Sequence, residues 1–536
     1  MAPRILERNA ADKASAMSFR QRMALFTPAV AFVTIYTSAA MFNFGYDVGV
    51  FSGLQAMGPF KKRFGKCDAD GTCSIPSYLS SVMNSTPYLG KLLGTWVAAP
   101  LAERFGRKKS LLFIAVCSII GTVLQIAATT AAQFTVGRIT CYFMTGICML
   151  MIPSYLAETA PQELRGLIGG QVQIQIMFSQ VIANLINYGT KQLDTDACWM
   201  IPLAIQFVMP SILIAAYPFL VESPRWLISR GNTEAASAAL RKLRKNTDPQ
   251  TLAEELSVML YARTNEGKGG WTEVFTGTNK RRAGIAILGM LAQQLSGQIF
   301  TSQYGVLFYQ QQGYTNSFAL GICYTTLQFV TALTTSLIVD RVGRRPLLLL
   351  GGLAQATFLY LVGGLGTISR PNRAEKDALV AGLMLFGVSF GLTWAPLSYI
   401  TMAEAPARRV AEKTAMLANS VSIACAFAIS FSVPYLVNAD YAGLGARVGF
   451  LYGSTAVAVT ALCWLFVPEM KGRSLEELDA LFELGTATRA FGSAVVRVAG
   501  GGGGGGRGEG EDGDGLEVGA GSGKAGKLVV EQVERA

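Results

Sequence analysis

Two charged residues of opposite sign lie inside long apolar stretches of the sequence. Asp47 falls shortly before the end of the stretch 28–54, and Arg138 lies shortly after the start of the stretch 132–154. If both stretches are helices that cross a membrane, a rise of about 1.5 Å per residue places both charges roughly 9 Å below the same surface. A charge at that depth costs several kcal/mol unless it is paired or hydrated. Their matched depth makes pairing geometrically possible.

The sequence offers two interpretations of this pair. One is a static ion pair that holds two helices together. The other is a proton-exchanging site: opposite charge keeps Asp47 ionised whereas burial favours its protonated form, so its proton affinity can change with conformation. The chain contains no histidine that could take this role instead.

The composition indicates the environment in which these residues lie. The 536 residues are 51% hydrophobic and 15% charged, whereas a soluble domain carries about 25% charged residues. The apolar residues gather in blocks of roughly 20, the length that a helix needs to cross a bilayer. We therefore predict an all-α membrane protein. Its twelve predicted spans are 28–54, 77–101, 110–129, 132–154, 167–190, 200–221, 283–309, 316–339, 346–367, 379–403, 411–435 and 446–467.

The basic residues of the short loops predict the orientation. They are concentrated on one side, which the positive-inside rule makes cytoplasmic, and an even number of spans places both termini there. The formal net charge of +11 follows from this topology, so we do not interpret it as nucleic-acid binding. We expect no cleavable signal in residues 1–25. The segment 57–76 is a basic exception on the outer side, and its Cys67 and Cys73 could pair there.

Internal repetition divides the chain into two halves. The run Glu103 to Lys108 recurs as Asp340 to Arg345. Glu158 recurs as Glu404, and Glu222 recurs as Glu469, at nearly the same offset. We predict six spans repeated in one orientation, with a pseudo-two-fold relation. The predicted segments are a cytoplasmic N-terminal segment 1–27, a first half 28–222, a cytoplasmic helical linker 223–282, a second half 283–483 and a disordered glycine-rich cytoplasmic tail 484–536.

Several motifs together resemble the sugar porter family of the major facilitator superfamily, and most closely its fungal members. They are Gly45-Tyr46-Asp47-Val48-Gly49, Gly137-Arg138, Glu158 through Gly166, Glu222-Ser223-Pro224-Arg225-Trp226-Leu227, Gln293-Gln294-Leu295-Ser296-Gly297 and Pro468 through Gly472. The resemblance covers about residues 28–483 and implies the major facilitator fold. It also implies a sugar transporter, with Asp47 and Arg138 at the positions that proton-coupled members use.

The resemblance further implies a sugar site made of amides, which both donate and accept hydrogen bonds and so suit hydroxyl groups. Its predicted residues are Gln173, Gln293, Gln294 and Asn419, with Trp394 as an aromatic partner. The alternative for each amide is an interhelical hydrogen bond.

The chain departs from the family pattern where Gly297-Gln298-Ile299 replaces the usual Gly-Ile-Asn, so an expected asparagine is missing. Gln298 and Gln303 could compensate, although on a regular helix Gln298 would point elsewhere. Amides at Gln180 and Gln328 and the pair Ala395-Pro396 are further departures. They leave the sugar open between a hexose and an α-glucoside-type disaccharide.

Charged residues at the predicted cytoplasmic helix ends form a second candidate set. Opposite charges there can form networks that close one conformation and bias a two-state equilibrium; topology control alone is the alternative. The set, which we call the charged end, comprises Glu103, Arg104, Arg107, Glu158, Arg165 and Glu222 with Asp340, Arg341, Arg344, Arg345, Glu404, Arg409 and Glu469.

Three other functions compete with proton symport. A facilitative uniporter would share the fold and the sugar site, but Asp47 with Arg138 argues against it. A non-transporting sugar sensor would be expected to have a longer signalling tail. An enzyme would need a nucleophile–base set, metal cluster or phosphate loop, and the tail's glycine run fails as a nucleotide fingerprint because no strand precedes it. We expect no cofactor, and a monomer in the plasma membrane with sugar, protons and lipid as its partners.

Overall fold

The computed structural model describes residues 26–492, except 72, 162–164, 246–247, 266–268, 312, 315, 369, 439, 472 and 474, and also the strands 494–499 and 527–532. Helices account for most of it. Those of the first half are α1 Pro28–Leu54, α2 Gly58–Phe64, α3 Ser77–Ser85, α4 Pro87–Ile126, α5 Ala131–Thr159, α6 Arg165–Thr190, α7 Ala197–Ile205 and α8 Val208–Ala216.

The linker region and the second half continue this pattern. The region between the halves contains α9 Pro224–Ser229, α10 Thr233–Leu243, α11 Pro249–Asn265 and α12 Trp271–Val274. The second half contains α13 Asn279–Gln293, a π-helical turn Gln294–Gln298, α14 Ile299–Gln303, α15 Gly305–Gln311, α16 Ser317–Val342, α17 Arg344–Leu365, α18 Arg373–Leu392, α19 Trp394–Glu404, α20 Ala411–Val437, α21 Val448–Phe466 and α22 Leu475–Glu483.

Local sequence explains where the helices begin. The Thr27 hydroxyl accepts a hydrogen bond from the Val30 backbone N–H at 3.2 Å, and Pro28 fits the first helical position of α1. Asn372 and Glu375 cap α18 reciprocally through each other's backbone N–H groups, both at 2.8 Å. The element α1 therefore matches the predicted block 28–54.

Ten helical stretches of the described residues are long and apolar enough to cross a membrane. One of them, Ser77–Ile126, covers two predicted spans, and its backbone turns at Gly106, where φ is 86°. The fifth predicted span coincides with α6, whose first residues have no described side chains. The fold is that of an all-α membrane protein, and the number of twelve spans stays a prediction.

The two halves pack against each other along two seams. Helix α6 lies against α16, and α3 and α4 lie against α20. Each seam therefore joins one half to the other, with space between them for a central cavity.

The strands of the described residues form two short antiparallel pairs. Lys66–Cys67 pairs with Cys73–Ser74, and a disulfide joins Cys67 to Cys73. Ala494–Ala499 pairs with Lys527–Gln532, where disorder was predicted. Ala494–Ala499 contains three valines and Lys527–Gln532 contains two, and valine favours strands.

Candidate functional site

A cavity of about 100 Å³ lies between the two halves. Its polar wall contains every amide of the predicted sugar site, from both halves: Gln173, Gln293, Gln294, Gln298 and Asn419. Gln180, Gln303 and Gln328 also line it, so the departures at Gln180 and Gln328 and the compensating candidate Gln303 face the same space. The aromatic part of its wall comprises Phe44, Tyr88, Tyr142, Phe390 and Tyr399. Amides and aromatic rings therefore surround one common volume.

Gln298 lines the cavity because the helix is broken next to it. Gly297 has φ 90° inside the π-helical turn, a left-handed conformation that glycine adopts at little cost. On a regular helix Gln298 would point elsewhere, but the helix is not regular at this position. The break turns its amide toward the other cavity residues.

The cavity amides are held by hydrogen bonds of their own. Gln293 Nε2 donates to the carbonyl oxygens of Trp394 at 3.4 Å and Ala395 at 3.1 Å. Gln294 Nε2 donates to Ser422 Oγ at 3.1 Å. Gln293 is thus anchored to the backbone of α19, whereas Gln294 is anchored to a side chain on α20.

Asn419 is anchored on two helices, because its Nδ2 also donates to Met402 Sδ on α19 at 3.3 Å, and Trp394 lies off the cavity. Asn419 Nδ2 donates to the Ala415 carbonyl at 2.9 Å. Trp394 is fully buried and does not belong to the wall, so the geometry does not support it as the aromatic partner. Its neighbours on the same helical region, Phe390 and Tyr399, reach the cavity instead.

Asp47 and Arg138 are both buried, each 2% exposed, but they do not form an ion pair within 4 Å. Asp47 Oδ1 accepts a hydrogen bond from Gln206 Nε2 at 3.0 Å, and its Oδ2 has no hydrogen-bond partner among the described residues. The predicted pairing is therefore absent from this conformation.

Arg138 binds other groups. Its Nη1 donates to the Met83 carbonyl at 2.8 Å, its Nη2 donates to Tyr142 Oη at 3.3 Å, and its guanidinium lies 3.6 Å from the centre of the Phe51 ring. Tyr142 also lines the cavity and contacts the Tyr88 ring at 5.6 Å. Arg138 is thereby connected to the cavity wall.

Tyr88 carries this connection to the other half. Its hydroxyl accepts from Gln303 Nε2 at 2.8 Å, and Gln303 Oε1 accepts from Ser430 Oγ at 2.8 Å. A continuous set of contacts therefore links Arg138 through the cavity wall to α14 and α20.

Lys91 is a cavity residue that the sequence reasoning missed. It lines the cavity from α4, and its Nζ lies 4.7 Å from the centre of the Phe44 ring. The signal was available: a lysine stands inside the predicted span 77–101, and an ionisable residue within a span is a candidate functional residue by default.

The charged end has the same construction in both halves. Arg107 Nη2 pairs with Glu158 at 2.7 Å, and Arg344 Nη2 pairs with Glu404 at 3.0 Å. Each of these described pairs joins partners of one half. The repeated residues identified in the sequence therefore occupy equivalent structural positions.

The glutamates at the end of each repeat act alike. Glu222 accepts hydrogen bonds from the backbone N–H of Arg107 at 2.9 Å and of Lys108 at 3.2 Å. Glu469 accepts from the backbone N–H of Arg344 at 3.0 Å and of Arg345 at 3.1 Å. Burial raises the pKa of Glu222 above its usual range, and these backbone donors oppose that shift.

The other predicted members of the charged end make further contacts at the same end of the molecule. The Glu103 carbonyl accepts from Trp226 Nε1 at 2.8 Å, and the Arg341 carbonyl accepts from Lys471 Nζ at 2.5 Å. Arg104 lies 5.5 Å from the Phe105 ring, and Arg409 lies 3.9 Å from Glu273. The side chains of Arg165 and Asp340 lie outside the described residues.

Hydrogen bonds between the halves occur at the end of the molecule opposite the charged end. Ser81 Oγ donates to the Phe431 carbonyl at 2.8 Å, and Asn438 Nδ2 donates to Ser77 Oγ at 2.7 Å. Lys61 Nζ on α2 adds a contact to Gln310 Oε1 at 3.4 Å. The halves are therefore closed together at this end.

Known transporters are similar to this chain over most of its length. A family model described as "Sugar (and other) transporter" matches residues 31–482. The chain is 30% identical over 457 residues to the "Major facilitator-type transporter ecdD" of Aspergillus rugulosus, covering 82% of this chain and 84% of that protein. It is 28% identical over 475 residues to the "Low-affinity glucose transporter HXT3" of Saccharomyces cerevisiae, covering 85% and 83% of the two chains.

Solved structures show the same fold. The proton:xylose symporter XylE bound to 6-bromo-6-deoxy-D-glucose superposes with a TM-score of 0.67 at 22% identity, covering 85% of this chain and 99% of that chain. The inward open conformation of XylE from E. coli gives a TM-score of 0.69 at 22% identity, with 84% and 99% covered.

Proposed function

This chain belongs to the sugar porter family of the major facilitator superfamily and is a sugar transporter of the membrane, and from that premise we propose that it is a proton-coupled symporter. Its substrate would be a hexose or an α-glucoside-type disaccharide, carried by alternating access. We place it in the plasma membrane, with both termini in the cytoplasm and a monomer as the working unit.

The cavity between the halves is the observation that carries this proposal. Amides from α6, from the region around Gly297 and from α20 face one volume, together with aromatic side chains. Hydroxyl groups of a sugar both donate and accept, which amides can match in either role. Because the amides come from both halves, a bound sugar would contact both and could sense their relative movement.

Asp47 is the proposed proton carrier. An ionised carboxylate is costly when it is buried and one of its oxygens has no hydrogen-bond partner among the described residues, so the arrangement around Oδ2 suits the protonated acid. Arg138 would then pair with Asp47 in a different conformation, when the proton has left. The contacts from Arg138 through Tyr142 to the cavity give sugar binding a physical route to this exchange.

Alternating access would use the two ends of the molecule. By the positive-inside rule the charged end faces the cytoplasm. The hydrogen bonds between the halves at the opposite end would then close the cavity to the outside. The charged-end residues would form pairs between halves when that outer closure is released.

The test is proton movement coupled to sugar. Purified protein in liposomes, with an internal pH dye, should take up protons when substrate is added outside. A facilitative uniporter would move labelled sugar to equilibrium with no pH change, and a non-transporting sensor would move neither. Sugar entry without proton entry would therefore overturn the symport proposal while leaving the transporter family in place.

A further inference from the structure

Within the part of the chain that the structure describes, the cavity wall has a positive charge and no acidic side chain. Among the described residues that line the cavity, Lys91 is the only one with a charged side chain. The other polar lining groups are amides, hydroxyls and phenols. A site for a neutral sugar has no evident need of an ammonium group.

Lys91 has no route to water along its helix. It lies between the start of the apolar stretch at Ser77 and the turn at Gly106, roughly 20 Å along the helix axis from either. That distance exceeds what a lysine side chain can cover to reach a membrane surface. The ammonium is therefore kept within the cavity region.

The contacts of the ammonium position it without neutralising it. The Phe44 ring, 4.7 Å from Nζ, offers a cation–π contact, and Phe44 also lines the cavity. None of the described ion pairs includes Lys91, and Asp47 binds Gln206 instead. A cation held inside a membrane protein is stabilised when an anion joins it.

We propose that the transported sugar carries a carboxylate, as a hexuronate or an aldonate does, and that Lys91 binds this carboxylate. The inference rests on the proposed transport function, and it replaces the neutral hexose or disaccharide of that proposal with a sugar acid bound in the same cavity. The amides bind the hydroxyl groups, while the ammonium forms a charge-assisted hydrogen bond that a neutral sugar cannot match.

The charge of the substrate has a consequence for transport. A neutral sugar that enters with one proton carries one positive charge across the membrane. A sugar acid anion that enters with one proton carries no net charge. Uptake of the acid should therefore be insensitive to an imposed membrane potential and driven by the pH gradient.

The experiment compares matched substrates in the full-length protein. Uptake of glucose and glucuronate, and of galactose and galacturonate, is measured in a transporter-null cell and normalised to surface protein. Wild type should take up an acid with a lower half-saturation than its neutral partner. Lys91→Gln should raise the half-saturation for the acid roughly tenfold to a hundredfold, and Lys91→Arg should keep the preference for the acid.

A matched control distinguishes the site from a general charge effect. Lys191 lies 4.1 Å from the Tyr188 ring and does not line the cavity, so Lys191→Gln should leave the acid preference unchanged. If Lys91→Gln does not reach the surface, a second measurement replaces the uptake assay: the melting temperature of purified wild type is compared in the presence of glucuronate and of glucose. A larger rise with the acid supports the inference, and a larger or equal rise with glucose overturns it.

The outcomes separate the two proposals. Uptake of the neutral sugars with no uptake of the acids would overturn the role of Lys91 and leave the sugar-transport proposal intact. An equal loss for acid and neutral sugar in Lys91→Gln would also overturn it. Failure of every sugar and sugar acid to enter would overturn both.

Discussion

The replacement Gln294→Ala tests whether the cavity amides bind substrate. Gln294 lines the cavity, and its Nε2 donates to Ser422 Oγ at 3.1 Å and to Gln293 Oε1 at 3.3 Å, so its carboxamide is held by side chains and not by backbone groups. Loss of one or two hydrogen bonds to a bound sugar costs about 1–3 kcal/mol. That corresponds to a rise of roughly tenfold to a hundredfold in half-saturation.

Gln293→Ala should give a mixed result, because Gln293 also holds the backbone of α19. Its Nε2 donates to the Trp394 and Ala395 carbonyls, so truncation removes a structural contact as well as a cavity amide. We expect less protein at the surface together with a raised half-saturation. The cleaner change in affinity should therefore come from Gln294→Ala.

The assay is concentration-dependent uptake normalised to surface protein, with Gln355→Ala as the control. Gln355 is fully buried, does not line the cavity, and donates to Thr393 Oγ1 at 3.3 Å. Its loss should reduce the amount of folded protein and leave half-saturation unchanged. If Gln294→Ala behaves like this control, the cavity amides are structural and the site assignment is refuted.

Two further changes test the local geometry. Gly297→Ala forces a side chain into φ 90° with its Cβ 2.9 Å from Tyr452 Cβ, so a cost of at least about 1–2 kcal/mol should lower the melting temperature and weaken uptake. A normal melting temperature would show that the break is not required. A stop after Glu483 removes the fully buried Phe491, whose ring centre lies 4.9 Å from that of Phe482. This truncation should lower the free energy of unfolding by about 3 kcal/mol. A stop after Gly492 should retain wild-type uptake; equal loss in both truncations would contradict this division of the tail.

Much of the fold follows from patterns that repeat in the sequence. The motif pairs place Gly106 beside Glu222 and Gly343 beside Glu469, and both glycines have positive φ, 86° and 111°. Any side chain at either glycine would collide with the glutamate carboxylate. The motif is therefore repeated in the sequence because the same close approach of a glycine to a glutamate carboxylate is needed in each half.

The tail shows where composition was a poor guide. Its polar and glycine-rich sequence predicts disorder from 484 onward. Arg281 Nη1 nevertheless donates to the Thr486 carbonyl at 2.8 Å, and Phe491 is buried against Phe482. A single aromatic residue and a few backbone groups can anchor such a segment, which average composition does not reveal.

The sequence predicted that amides line a central site, but not the orientation or the full set of the side chains that line it. The amides were predicted from the family resemblance, but the orientation of Gln298 depends on the left-handed Gly297, which periodicity assumes to be helical. Asp47 and Arg138 were correctly expected at buried positions, yet pairing depends on the conformation of the protein. Lys91 was not among the predicted residues because neutral amides are the side chains that match the hydroxyl groups of a sugar.

The most direct test of the central claim is accumulation of substrate by Asp47→Asn in liposomes with an imposed pH gradient. Wild type should concentrate substrate above the external level. Asp47→Asn should exchange labelled for unlabelled substrate across the membrane but fail to concentrate it. Asp377→Asn, which changes an aspartate bonded to Tyr314 away from the cavity, should behave as wild type. Accumulation by Asp47→Asn equal to that of wild type would contradict proton coupling through Asp47.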